Sequence, residues 1–147
     1  MNLVEQITTG IEDRLAAVLT DFSPLRFYYD IEKNDYKGNT NRYGVIPQEI
    51  ESQSGVTRSV TVNQTFQIVL TTDYRNDPKS DMDLQTKVKE LYNKMDELTH
   101  DLVLTKVGVP SIILLITLSG YEAPEILEEH KVIALRMDLT VRYRRDL

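Results

Sequence analysis

Cysteine and tryptophan are absent from the 147 residues, and histidine occurs only twice. Without cysteine no disulfide framework and no thiolate chemistry is possible. That suits a reducing cytoplasm, and equally a particle that must persist outside a cell without redox dependence. A paired-histidine zinc motif, a Gly-rich phosphate loop and a nucleophile elbow are all missing, so no enzyme class gains support and no cofactor is expected. Apolar runs are short: Ile112–Ile116 covers five residues, against the ~20 that span a bilayer. Met1–Glu5 lacks a basic start followed by an apolar stretch, so no signal peptide is expected and the chain is expected to be soluble, with no membrane partner.

What is present suits one ordinary domain over residues 1–147, with apolar residues at 41% and charged residues at 27%. A chain of this size buries roughly 70% of its unfolded surface, enough for its own core. The net charge of −6 is unevenly spread. Lys131–Leu147 carries Lys131, Arg136, Arg142, Arg144 and Arg145 against Asp138 and Asp146, a net of +3, which leaves −9 for the preceding residues. An acidic body repels nucleic acid at long range, so non-specific DNA binding by the whole surface is not expected.

Apolar residues at Leu3, Ile7, Ile11, Leu15, Val18 and Phe22 lie on one helical face and predict a helix over 3–22, ended by Ser23-Pro24. Gly10 inside it costs about 1 kcal/mol relative to Ala, so tertiary packing must sustain the helix. Leu25, Phe27, Tyr29 and Ile31 alternate with polar neighbours and predict a half-buried strand. Asn34–Gly55 is polar and rich in turn formers, which predicts a long loop. From Thr57 the period is two again, with Val60, Val62, Phe66, Ile68 and Leu70 facing one way and Gln64 as their single polar member. Asn76-Asp77-Pro78 predicts a turn, and Ser80 with Asp83 a capping box. Leu84, Val88, Leu91, Met95, Leu98 and Leu102 then mark the clearest helix. Ile112–Leu118 predicts a strand buried on both faces, Gly120–Glu129 a connecting loop. Ile133, Leu135, Met137, Leu139, Val141 and Tyr143 are the core side of a last strand. The fold expected is α+β in the order α-β-β-α-β-β, with two helices on one face of a mainly antiparallel four-stranded sheet.

Thr57–Thr72 and Lys131–Arg145 are each near fifteen residues, roughly 50 Å at ~3.3 Å per residue. A domain of this size has a diameter of about 38 Å. The strands either bend at bulges or project as a β-ribbon whose edges invite a neighbouring chain.

Glu97-x-x-His100 has the one-turn spacing of metal sites in helix bundles, but the further glutamate ligands such sites need are missing, and a solvated helix face is expected. His130 beside Glu128 and Glu129 reads as a charged loop end, and Asp81 and Asp83 as dipole partners of a first helical turn. Asn63-Gln64-Thr65 matches a glycosylation pattern without a secretory context. Arg142 and Arg144 lie on the strand face opposite Tyr143, which suits salt bridges to an acidic neighbouring subunit better than base stacking.

The element order resembles that of the tail-terminator proteins of tailed bacteriophages. Asn41-Arg42-Tyr43-Gly44-Val45, followed by Thr57-Arg58-Ser59-Val60-Thr61-Val62-Asn63-Gln64-Thr65-Phe66, is similar to related neck and tail-completion proteins, in which a Tyr-Gly-Val stretch leads into a long alternating strand. The resemblance implies a structural virion protein without catalytic activity. It would assemble as a ring, commonly of six, cap the head-proximal end of the tail tube, and contact tail-tube and head-neck connector proteins. DNA would pass through the lumen without specific binding. The subunit-interface candidates are then Arg58, Arg136, Arg142, Arg144, Arg145 and Tyr43. Another neck or tail component, a head-completion protein or tail-tube subunit, fits the same features. A metal-dependent hydrolase using Glu97 and His100, or a regulatory module binding DNA through the C-terminal arginines, are the readings from other classes.

Overall fold

Asn2 starts the first helix: its Oδ1 accepts a hydrogen bond from the Glu5 amide at 2.8 Å, satisfying one of the donors that a helix N-terminus leaves unpaired. A computed structural model describes residues 2–37, 40–56, 58–74, 80–109 and 112–146. Helix α1 spans Leu3–Val18. It stops short of Phe22 because Ser23–Pro24 is already extended as strand β1, paired in parallel with Arg42 and Tyr43. Helix α2 spans Ser80–Thr105, so Ser80 is already helical instead of preceding the helix. The Asn76-Asp77-Pro78 turn lies outside the described residues. No helix among the described residues is long and apolar enough to cross a membrane.

The remaining strands are β2 (Arg42–Val56), β3 (Ser59–Asp73), β4 (Ile113–Tyr121), β5 (Glu125–Leu127) and β6 (Val132–Asp146). They form one sheet in the order β1-β2-β3-β6-β4, with β5 also paired to β6. The expected four-stranded sheet in the order α-β-β-α-β-β is therefore overturned: among the described residues the sheet has six strands, and the parallel β1–β2 pair makes it mixed.

Three local causes explain the difference. Leu25–Ile31 alternates like a strand yet folds as a loop closed by a 3-10 turn at Ile31–Lys33. Asn34 Oδ1 accepts from the amides of Arg26 at 2.9 Å and Phe27 at 3.1 Å, while its Nδ2 donates to the carbonyls of Phe27 and Asp30. One short amide side chain thus claims backbone groups that a ladder would need. Conversely, the polar stretch expected as a loop contains the fifteen residues of β2. Pro47 is tolerated there beside register shifts at Pro47/Ile50 and Ile50/Ser52, where a missing amide donor costs little. The third cause is β5, which forms inside the expected Gly120–Glu129 connection by pairing Glu125, Ile126 and Leu127 with Ala134, Ile133 and Val132.

β3 and β6 pair without a register shift from Ser59↔Asp146 to Asp73↔Val132. The ladder is about 46 Å long at ~3.3 Å per residue. Bulges occur in its neighbours β2 and β4 instead.

Both helices bury their apolar stripes in one cluster with the sheet: Ile7, Ile11 and Leu15 of α1, and Leu91, Met95, Leu98 and Leu102 of α2, with Phe66, Leu70, Leu135 and Leu139. Successive strand residues point to opposite faces, so Val69, between Ile68 and Leu70, belongs to the other side. There it joins Leu25, Ile31, Tyr36, Ile46, Leu127 and Val132 in a second cluster. The Leu25–Tyr36 loop lies so close over β2 that a Cβ at Gly44 would come within 2.8 Å of Tyr28 Cβ.

Candidate assembly interface

The register places Arg142 opposite Asn63, Arg144 opposite Thr61 and Arg145 opposite Val60, with Arg58 exposed in the turn between β2 and β3. Four of the six candidate residues therefore collect at one end of the sheet. Arg142 Nε donates to Asn63 Oδ1 at 3.0 Å, Arg145 Nη2 to Gln53 Oε1 at 3.4 Å, and Arg144 Nε faces Asp146 Oδ1 at 3.4 Å. Beside them lies a groove of about 850 Å³, with Leu3, Val4, Ile50 and Ile112 along it and Arg144 and Arg145 at its rim.

Arg136 and Tyr43 do not join this group. Arg136 is opposite Val69; it donates to Gln67 Oε1 at 3.0 Å and lies 3.7 Å from the Glu125 carboxylate. Tyr43 is only 8% exposed and packs in the main core. Burial, with the Glu12 and Asp13 carboxylates adding to it, pushes its phenol above the ordinary tyrosine range. The alternation across Tyr43-Gly44-Val45 places Tyr43 on the inner face, so it is a core residue of the chain.

Gln64, the single polar member of the inner face of β3, is satisfied inside it. Its Oε1 accepts from Tyr143 OH at 2.9 Å, and its Nε2 donates to the Gln48 carbonyl at 3.0 Å. This chain of bonds stitches β6, β3 and β2 together just beneath the arginines.

The apolar run expected to be buried on both faces is instead an edge. Among the described residues β4 pairs with β6 on one side only, and Leu114, Leu115 and Leu118 are 48%, 49% and 47% exposed. Val103 and Leu104 near the end of α2 are exposed as well. Sequence reasoning missed these residues because a continuous apolar run carries no periodicity to separate a central strand from an edge.

At the end of the sheet opposite the arginines, Ile126 of β5 is 44% exposed. It lies between Glu125, Glu128 and Glu129, beside a smaller cleft of about 280 Å³ that Glu32 and His130 also line. His130 Nε2 is 3.0 Å from the Glu32 carbonyl, and its ring packs against Tyr36. Glu97 and His100 are both exposed on α2, and Glu97 pairs with Lys94 at 3.6 Å. Among the described residues no group of three or more His, Cys, Asp or Glu side chains converges as metal ligands do. Tyr121, at the end of β4, donates to Asp96 of α2 and meets the Tyr92 ring edge-on. Burial and that carboxylate push its phenol up to about 12.

No protein-family model matches the chain, and no curated protein matches it either.

Proposed function

We propose that the chain is a structural, ring-forming subunit of the tail-terminator kind, which caps the head-proximal end of a phage tail tube and joins it to the neck. The observation that carries the reading is the outer edge of β4, which no strand among the described residues covers, with its three half-exposed leucines. Unpaired backbone groups along an apolar edge are a template for another chain. Burying what remains of the three leucines contributes about 3 kcal/mol, which falls short of the 4–15 kcal/mol that association costs in lost freedom. One such contact is weak, whereas a closed ring gives every subunit two. A closed ring fits this arithmetic, and the resemblance to tail terminators adds its number, six, its assembly in the host cytoplasm and its residence in the virion. Its acidic body suits a conduit along which DNA slides without sticking.

The test compares the unaltered chain with Leu114→Lys and Leu118→Lys, by light scattering over a range of concentrations and by imaging of tails assembled with each. Both positions are half-exposed, so the fold should survive and thermal unfolding should be little changed. The unaltered chain is expected to form closed rings, alone or on tail tubes, and the lysine variants to remain monomeric. A chain that stays monomeric at every concentration and within assembled particles sinks the reading.

A further inference from the structure

We infer that the surface covering β4 is the opposite edge of the sheet in a second copy of this chain: β4 of one subunit runs antiparallel beside β2 of the next. The inference rests on the ring-assembly reading above and names the second half of the contact that makes the ring.

Exposed apolar side chains gather at these two edges. Among the described residues ten large apolar side chains are exposed. β3 pairs with one side of β6 over its whole length, so β4 and β5 follow one another along the other side. That edge carries Leu114, Leu115, Leu118, Tyr121 and Ile126. Val103 joins them, because it shares a stripe of α2 with Tyr92 and Asp96, the two residues that meet Tyr121. Phe27, Tyr29 and Ile50 lie at the opposite edge. Ile50 is in β2 itself, and the loop that follows β1 lays Tyr28 against Gly44 of β2. Only Leu104, on α2, stands apart. Apolar surface at both lateral edges is what a head-to-tail contact leaves exposed on a single copy.

The backbone groups of the two edges are complementary as well. β1 covers β2 only at Arg42 and Tyr43, so from Gly44 onward no strand among the described residues pairs with its outer side. Pro47 and the register shifts up to Ser52 interrupt the middle of β2, as in guarded edges. That leaves Ser52–Val56 as an unbroken, uncharged stretch, and Ile113–Tyr121 is uncharged too. Neighbours in the run β2-β3-β6-β4 are antiparallel throughout. In two copies of the same orientation, β4 and β2 therefore meet antiparallel.

The matching features also lie at equal heights. Ser52 is opposite Asn63, Asn63 opposite Arg142, and Arg142 opposite Leu115. Gly44 is opposite Val69, and Val69 opposite Arg136, whose carbonyl accepts from the Glu122 amide next to Tyr121. Copies set side by side thus bring Ser52–Val56 to the start of β4, and Phe27 and Tyr29 to Tyr121 and Ile126. One copy cannot join its own edges, because β3 and β6 lie between them. A twofold pairing of β4 with β4 would leave Phe27, Tyr29 and Ile50 bare.

The chain contains no cysteine, so introduced thiols are unique and a short bismaleimide can trap even a weak contact. Thr117 is opposite Thr140, and Thr140 opposite Thr65, which lies between the partners of Ile50 and Pro47. Thr117 is therefore level with Glu49, and both are exposed. An equimolar mixture of Thr117→Cys and Glu49→Cys should give crosslinked dimers, the double variant a ladder ending at the ring, and each single variant essentially no product. Thermal unfolding should be unchanged in all three. Tyr29→Lys, at the edge remote from β4, should weaken association at least tenfold in sedimentation equilibrium. A single variant crosslinked to itself means that like edges meet, and overturns the inference. A mixture without crosslinks, or a Tyr29→Lys chain that associates like the unaltered one, also overturns it, and leaves the ring reading standing where the unaltered chain still forms rings. An unaltered chain that is monomeric throughout, in particles as in solution, sinks both readings.

Discussion

Arg14 of α1 holds Asp101 of α2 with two prongs, Nε at 2.8 Å from Oδ2 and Nη2 at 2.6 Å from Oδ1. The bond to Asp101 and its negative charge raise the Arg14 pKa above its ordinary value. Two-pronged geometry favours Arg over Lys at this position, but both side chains are partly exposed, so solvent screens the attraction. A double-mutant cycle of Arg14→Ala and Asp101→Ala, read by urea unfolding, should give a favourable coupling. It should shrink toward zero at about 1 M salt, where the Debye length is about 3 Å. A coupling insensitive to salt would mean that the two residues act through packing instead.

Gly10 is where α1 is crossed by the 3-10 turn at Lys106–Gly108. A Cβ at this position would lie 2.2 Å from the Val107 carbonyl oxygen. Gly10→Ala gains about 1 kcal/mol of helix propensity. It must also displace the backbone of a turn whose Val107 is fully buried, a distortion of the kind that costs ~1–3 kcal/mol. The net expectation is a lower melting temperature, measured by calorimetry, where an open helix position would show a rise.

Tyr36 is buried, donates to the Ile31 carbonyl at 2.6 Å, and has its phenol pushed up to about 12 by burial. The unfolded value is about 10. A folded pKa above the unfolded one means that the native state holds the proton more tightly. Its contribution is therefore complete below about pH 10 and is lost as pH rises through 12. Stability from urea unfolding should fall over that window, and Tyr36→Phe should fall less steeply. At neutral pH the same variant should cost about 1 kcal/mol, since it leaves the Ile31 oxygen without its donor.

The two faces of β6 should respond oppositely to substitution. Leu139 is fully buried opposite Phe66. Leu139→Asp combines lost apolar burial with an unpartnered charge, several kcal/mol in all, against a total stability of about 5–15 kcal/mol. The variant should be unfolded or insoluble by circular dichroism. Arg142, three residues on, is exposed and bonded to Asn63. Arg142→Gln should keep the melting temperature within a few degrees. Were Arg142→Gln to unfold the chain, the arginine face would be structural and not an assembly surface.

Periodicity by itself determined the two helices and the inward sets of β3 and β6, because 3.6- and 2-residue repeats are local properties of the chain. The charge separation that concentrates Arg142, Arg144 and Arg145 at one terminus is likewise written in the sequence. Only the tertiary structure decided which strands lie at an edge. β2 became a strand because β3 offered it a ladder, despite its own turn-forming residues, and Leu25–Ile31 was withdrawn from the sheet by the side chain of Asn34. The Ile112–Leu118 run reads alike whether it is paired on one side or on two. Its exposure follows from the partner that β6 accepts on its outer side, a pairing between residues far apart in sequence that no local pattern records. Tyr43 and Gln64 make the same point in miniature. Whether a polar group faces a neighbouring subunit or is satisfied in the core depends on what the fold brings within hydrogen-bond distance of it, and for Gln64 that is Tyr143, 79 residues away.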